Sequence, residues 1–427
     1  MNKLRISLRG MRGFLTLWLT QAFSALGSSM TAFALVVWSY QAEGSALSTA
    51  LLKVCSYAPY VGMSIFAGTL SDRWNKKATL LTCDALAALT TFGVLLLLNT
   101  GNLRLWHLYG INAINGLMNT VQQPASEVAV TLLTPKEQVQ RASSLQQVSN
   151  SLINIATPAL AAAMIAFAGL ESVLVFDLVT FAAAAMSLLL FLRIPASPAQ
   201  EKTERFSQAL RTGLGYLGRN RGILMLILFL SGINLVASMH SAALPALAIN
   251  RAGEAGYGMV NTVVGIATLA GSLLAAALPQ PRSRVRVICN TLLFAMSTEN
   301  FLLAFGRGVP VWCVGAALGW ISIPIMSANL GALMRERVPV ELQGRVYSVR
   351  NALQFFTIPV GYLAGGWLVD RVFEPLMAAQ GAGSWLTVLF GTGKGAGAAL
   401  TFGLLGVLGT LVCLYFRRNR AIRALEG

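Results

Sequence analysis

Long apolar runs, separated by short turns, constrain this chain more than any other feature. A helix that crosses a bilayer needs about 20 mostly apolar residues. In hydrocarbon its backbone must satisfy its own hydrogen bonds, so only helices or closed barrels can span. These runs do not alternate in hydropathy, which excludes a barrel. Charged residues make up 11% of the 427 positions, against about 25% in a soluble domain. The chain is therefore an integral membrane protein. The spacing predicts twelve helices, over 14–39, 48–70, 78–99, 106–130, 142–168, 172–193, 222–249, 257–279, 286–306, 310–334, 346–370 and 396–416.

The bases then set an orientation. With both termini on one side, that side holds 25 of the 32 lysines and arginines. The opposite side holds Arg104, Arg251, Arg307, Arg371 and Lys394, and Lys53 and Arg350 fall inside helices. The positive-inside rule places both termini in the cytoplasm of a multi-pass protein of the cell membrane. This asymmetry also accounts for the net charge of +16 without nucleic acid. The basic N-terminus leads into an apolar run too long for a signal-peptide core, so a retained first helix is expected.

Little in the chain points to chemistry. Five cysteines, at 55, 83, 289, 313 and 413, all lie in apolar runs without disulfide or metal spacing. No phosphate-cradling glycine loop, nucleotide fingerprint, metal cluster or nucleophile–base set is present. An enzyme, a metal centre and a cofactor are not expected, and any uphill work would not draw on ATP directly.

The organisation is two-fold. Residues 1–193 and 222–427 are expected to form two six-helix bundles, joined by a cytoplasmic linker over 194–221. In the linker, Phe206, Leu210, Leu214 and Leu217 recur at helical spacing beside Arg211, Arg219 and Arg221. That pattern predicts an amphipathic helix on the inner membrane surface. The halves also repeat. Pro135, Glu137, Arg141 and Ser144 match Pro339, Glu341, Arg345 and Ser348 at a constant offset. Duplicated bundles are the mark of a transporter. The stretch from Phe373 to Gly395 is expected to be a partly embedded outer loop.

Polar residues inside a membrane should face protein or water. Gln21, Ser24 and Ser28 share one helical face. So do Asn112, Asn115, Asn119 and Gln122; Gln147, Asn150 and Asn154; and Asn234 and Ser238. Lys53, Tyr57 and Tyr60 form another such face, as do Arg350 and Gln354. These residues are candidates for a substrate path. Hydrogen bonding between packed helices is the alternative for each stripe taken alone. The predicted third, sixth and twelfth helices carry no stripe and are expected to be packing helices.

Four acids lie within helices: Asp84, Glu127, Asp177 and Glu299. They are the candidates for a proton or charge network. Asp84 and Glu127 are assigned to cytoplasmic charge networks, and Glu299 is kept as a proton site. His240, one residue off its stripe, is expected to be a packing residue.

The turn Gly68-Thr-Leu-Ser-Asp72-Arg73-Trp-Asn75-Lys76-Lys77 packs one acid and three bases between two membrane-length runs. It resembles the signature turn of the major facilitator superfamily, Gly-x-Leu-Ala-Asp-Arg-x-Gly-Arg-Lys. Three further stretches resemble the macrolide-efflux branch of drug:proton antiporters. These are Gln21 to Gly27, the region from Pro124 to Glu137, and Glu341-Leu-Gln-Gly344-Arg345-Val-Tyr-Ser348. The resemblance implies an all-α membrane protein, with twelve transmembrane helices in two pseudo-symmetric six-helix bundles. It implies a conformational latch of Gly68, Asp72, Arg73, Lys76 and Lys77 with Gly344 and Arg345. It further implies alternating access, a small-molecule substrate, protons and membrane lipids as partners, and a monomer. Two departures stand out. Asn75 replaces the usual glycine, where it is expected to tolerate left-handed backbone. Thr157-Pro158 keeps only the proline of the antiporter motif in the fifth helix, so import of a nutrient or siderophore, or lipid flipping, stays open beside export of an amphipathic drug.

Overall fold

The computed structural model describes residues 12–426 apart from 74, 136–137, 192–205 and 382. Side chains within its helices are described except at 12, 64–73, 139–141, 143–144, 206–210, 340–341, 343–345, 348 and 426. The described chain is helical throughout and contains no strand. In order come α1 (Arg12–Glu43), α2 (Ala46–Arg73), α3 (Lys76–Asn99), α4 (Leu105–Leu133), α5 (Val139–Leu190), α6 (Phe206–Arg219) and α7 (Arg221–Ala277). They are followed by α8 (Arg284–Phe305), α9 (Val309–Arg337), α10 (Val340–Phe355) and α11 (Thr357–Trp367). A π-helical turn (Leu368–Phe373), α12 (Glu374–Ala378), α13 (Trp385–Phe390), α14 (Ala396–Arg418) and α15 (Arg420–Arg423) complete the chain. Among the described residues, eight helical segments are long and apolar enough to cross a membrane.

Two of these segments are bent pairs. In α5 the backbone turns at Gly169, with φ of 75°, and in α7 at Gly253, with φ of 67°. Both glycines lie where loops are expected from the sequence, and both occupy a backbone region open to glycine at little steric cost. Near residue 356 a single helix was expected. Pro359 supplies no N–H to the Phe355 carbonyl, and the ladder lapses at Phe356 before resuming as α11. The π turn then follows, so 346–370 is three segments rather than one.

The chain divides into two compact units. Unit 1 is Met1–Trp38 with Cys55–Thr203, and unit 2 is Ser39–Val54 with Glu204–Gly427. The end of α1 and the start of α2 thus belong with the second unit. Unit 1 is held by small separate clusters, among them Leu17, Leu80, Ala125, Ala129 and Leu188, and Met30, Ala34, Ala161 and Val173. Unit 2 has one extended core that runs from Leu217 to Ile422. In α6, Leu217 is buried in that core while Leu214 stays exposed, and the Tyr216 hydroxyl donates to the Arg337 carbonyl at 2.8 Å.

Glycines let backbones approach closely in both units, and two of these approaches stand out. A Cβ on Gly116 of α4 would overlap the Ser56 carbonyl of α2. A Cβ on Gly271 of α7 would overlap the Ile321 carbonyl of α9. Small residues let helices approach this closely in a membrane. The two crossings join equivalent members of the sequence repeat, with the glycine on opposite partners.

Candidate functional site: carboxylates within the helices

Three acids inside the helices are buried and built into polar networks. In unit 1, Asp84 of α3 is 2% exposed. Its Oδ2 accepts from Gln21 Nε2 of α1 at 3.1 Å, and its Oδ1 from Gln122 Nε2 of α4 at 2.7 Å. Asp177, on the second arm of α5, is 1% exposed. It accepts from Ser28 Oγ of α1 at 3.4 Å and from Thr91 Oγ1 of α3 at 3.2 Å. All four donors are neutral. Gly27 makes the second network possible, because a Cβ there would lie 2.9 Å from Asp177 Oδ1 and overlap Thr180 Oγ1. A single face of α1 thus serves both acids, with Gln21 and Ser28 about 10 Å apart along the axis.

Unit 2 uses different chemistry. Glu299 of α8 faces His240 of α7, with Nε2 to Oε1 at 3.3 Å. The indole Nε1 of Trp320, from α9, donates to the same Oε1 at 2.9 Å. His240 Nδ1 lies 3.0 Å from Asn300 Oδ1, and Phe402 of α14 stands edge-on to the ring, 4.9 Å between centroids. Gly319 gives Glu299 its space; a Cβ there would lie 2.7 Å from Oε2.

A second polar cluster in unit 2 joins the start of α2 to the end of the α11 region. The Asp370 carboxylate accepts from Ser45 Oγ at 2.7 Å, from the Ala46 backbone N–H at 3.0 Å and from that of Leu47 at 2.8 Å. It therefore caps the N-terminus of α2, where backbone donors lack helical partners and the dipole favours an anion. Gly366 allows the approach, since a Cβ there would lie 2.6 Å from Leu47 Cα. Beside it, Tyr40, Ser45, Asn250, Asp370, Glu374 and Lys394 help line a cavity of about 510 Å³. Asn250 Nδ2 donates to the Tyr40 hydroxyl at 2.6 Å. Arg251 Nη2 donates to the Phe390 carbonyl at 2.7 Å, and the Gly395 N–H to Glu374 at 2.9 Å. The segment expected to be a loop is thus a folded piece with two short helices, and its turn bears positive φ at Gly391, Gly393 and Gly395.

The remaining candidates are placed less uniformly. Asn234 Nδ2 donates to the Gln354 carbonyl at 3.0 Å, and Ser238 Oγ to the Asn234 carbonyl at 2.7 Å. The first bond joins two helices, and the second stays within α7. Asn112 bonds its own helix at Leu108 O, 2.9 Å away, while Asn115 Oδ1 accepts from Thr90 at 3.3 Å. Tyr60 donates to Gln123 at 3.3 Å. Ser24 is buried and Lys53 is half-buried, whereas Tyr57, Asn119, Glu127, Gln147, Asn150 and Asn154 are exposed. Arg350 bonds Asn351 Oδ1 at 3.1 Å and lies 5.3 Å from the centre of the Tyr347 ring. Lys76 is buried, and Lys77 Nζ donates to the Leu189 carbonyl at 3.2 Å. The side chains of Gly68, Asp72, Arg73, Gly344 and Arg345 lie outside the described residues.

Several sequence expectations need correction. Helix α3 is not merely a packing helix: Asp84, Thr90 and Thr91 all engage polar partners. Its polar groups form no long stripe because they are few. His240 is buried and hydrogen-bonded as expected, but it also meets Glu299 across 59 positions of sequence. Asn75 is extended rather than left-handed, with φ of −65° and ψ of 117°. Its side chain instead caps α3, accepting from Lys77 N at 3.0 Å and Ala78 N at 3.2 Å. Asp370 and Glu374 were missed because each stands at a helix end, where acids are common. The Ser45-Ala-Leu-Ser48 start of α2 was the signal that a capping partner was near.

Buried acids bonded across helices, on a chain built of membrane-length helices, define a multi-pass membrane transporter. The Major Facilitator Superfamily model matches residues 17–351, and the chain belongs to that superfamily. It is 22% identical to Macrolide efflux protein A of Streptococcus pyogenes over 364 residues, 84% of this chain and 90% of that protein. It is 25% identical to the multidrug efflux pump Tap of Mycobacterium bovis over 376 residues, 84% and 87% of the two chains. Among solved structures, a mutant of the nucleoside transporter NupG superposes with a TM-score of 0.72 at 12% identity, covering 95% of this chain and 98% of that one. A bacterial homologue of the iron transporter ferroportin, in an inward-facing state, gives 0.69 at 15% identity, covering 96% and 99%. These structures share the superfamily fold.

Proposed function

We propose that this protein exports amphipathic organic compounds of the macrolide or multidrug kind by alternating access, in exchange for protons. The observation that carries this reading is the match to macrolide and multidrug efflux proteins over more than four-fifths of the chain. The interior supports it. Asp84 and Asp177 are carboxylates held by amide and hydroxyl donors. An ionisable group is expensive to keep inside a membrane, and its presence there points to function. Amide and hydroxyl donors also suit a large, partly polar cargo better than an inorganic ion.

In this reading the protein is a monomer with twelve spans, in the cell membrane, with both termini in the cytoplasm. The 68–77 turn governs opening. Its bases meet lipid head groups, and no nucleic acid or cofactor takes part. The test uses cells that lack their own drug pumps. Accumulation of macrolides, dyes and siderophores is measured with and without a protonophore. Expression should lower macrolide or dye accumulation, and the protonophore should abolish that effect. No difference for any compound would end the export reading. Increased siderophore uptake would replace it with import. Asp72→Asn should impair transport while leaving membrane insertion intact.

A further inference from the structure

The pair His240–Glu299 is more tightly specified than its length suggests, because Asn300 fixes the tautomer. Asn300 Nδ2 donates to the Met296 carbonyl at 2.7 Å. That bond leaves Oδ1 as the atom facing His240 Nδ1 at 3.0 Å. An amide oxygen accepts, so Nδ1 must carry a hydrogen. The imidazole is then either neutral with a bare Nε2, or a cation with a second hydrogen on Nε2. Opposite Nε2 lies Glu299 Oε1. One proton in this gap gives a net-neutral pair, written either as imidazolium with carboxylate or as imidazole with carboxylic acid. Without that proton, a lone pair faces a carboxylate and the pair carries one negative charge.

The described groups packed around the pair do not themselves take up or give a proton. His240 and Glu299 are 7% and 6% exposed. Helix α9 contributes Trp320 and Gly319, neither of which titrates in the accessible range. Helix α14 contributes Phe402. Cys289 on α8 lies about 15 Å from Glu299 along the helix, and Cys413 is similarly distant from Phe402. Trp320 steadies the carboxylate in either state.

We propose that the gap between His240 Nε2 and Glu299 Oε1 is a proton-binding site, and that its one proton is the one exchanged in the transport cycle. The proposal rests on the reading of the chain as a proton-coupled exporter, and it places the coupling proton in unit 2, away from Asp84 and Asp177. The step is a simple protonation. Glu299 carboxylate, neutral His240 and one proton combine into the neutral pair, and release reverses it.

Two measurements separate this claim from the transport reading. The first needs no substrate. The chain has two histidines, so His107→Gln leaves His240 as the sole imidazole of the full-length protein. Infrared difference spectra across a pH titration in detergent should show an imidazole with Nδ1–H in the deprotonated state. Its titration should move together with a buried carboxyl band, and that coupling should vanish in Glu299→Gln. An Nε2–H tautomer, or an imidazole that titrates alike with and without Glu299, would overturn the site. The second measurement adds a macrolide to weakly buffered protein and records protons released per macrolide bound. Wild type should release protons, and Glu299→Gln or His240→Asn should release roughly tenfold fewer. Equal release from wild type and either variant would overturn the coupling role. Failure of wild type to bind any macrolide would count against the export reading, and the spectra alone would then decide whether the site holds a proton.

Discussion

The two units treat their buried acids differently. In unit 1, Asp84 and Asp177 are surrounded by neutral amides and hydroxyls. In unit 2, Glu299 meets the imidazole of His240, and Asp370 meets the backbone donors of a helix start. A neutral donor shell can stabilise a carboxylate, but it offers no second place for a proton. An imidazole does. The contrast teaches that the duplicated architecture has not duplicated its chemistry: the repeated turns are alike in sequence, while the polar interiors have diverged. Unit 1 holds its acids by amide and hydroxyl donors, and unit 2 sets one against an imidazole.

That difference can be broken most severely at His240. His240→Leu removes one partner of a buried pair and leaves Glu299 without its base, a change worth about 3–5 kcal/mol. Thermal unfolding in detergent should show the largest drop among these variants, and the double variant His240→Leu with Glu299→Leu should recover much of it. A drop no larger than that from losing a glutamine would erase the contrast between the units. Gln122→Leu should cost less, about 1.5–3 kcal/mol for a hydrogen bond to a charged group. Combined with Gln21→Leu, its effect should depart from additivity, because both act on one carboxylate. Asp370→Ala should be milder still, about 1 kcal/mol for a lost helix cap. Its clearer readout is local: a cysteine introduced at Ser48 should label faster once the start of α2 is uncapped. Unchanged labelling would show that Asp370 does not hold that segment.

Much of the fold was legible in the sequence, because a membrane imposes length and apolar composition on each span. The breaks at Gly169 and Gly253 fall where turns were expected, and α6 forms where its helical spacing predicts. The three-part build of 340–373 was less legible, since one proline in a helix marks a possible break without saying whether the chain continues beyond it. The site was read unevenly. Gln21 and Gln122 were singled out by periodicity, and periodicity reports faces. Which face meets which acid depends on the crossing of α1, α3 and α4, which no single stretch encodes. His240 and Glu299 illustrate the same limit: each looked isolated within its own helix. Asn75 was noticed as a departure from a family pattern, but its part as a helix cap follows from the N–H groups behind it rather than from the turn before it.

The most direct test of the account is transport in purified proteoliposomes carrying an imposed pH gradient, acidic inside, with a radiolabelled macrolide outside and the protein as the sole transporter. The account expects macrolide to accumulate against its own gradient while protons flow the other way. Accumulation should cease when an ionophore collapses the pH difference. Macrolide movement that equilibrates at the same rate and to the same level with and without the pH gradient would contradict proton-coupled export.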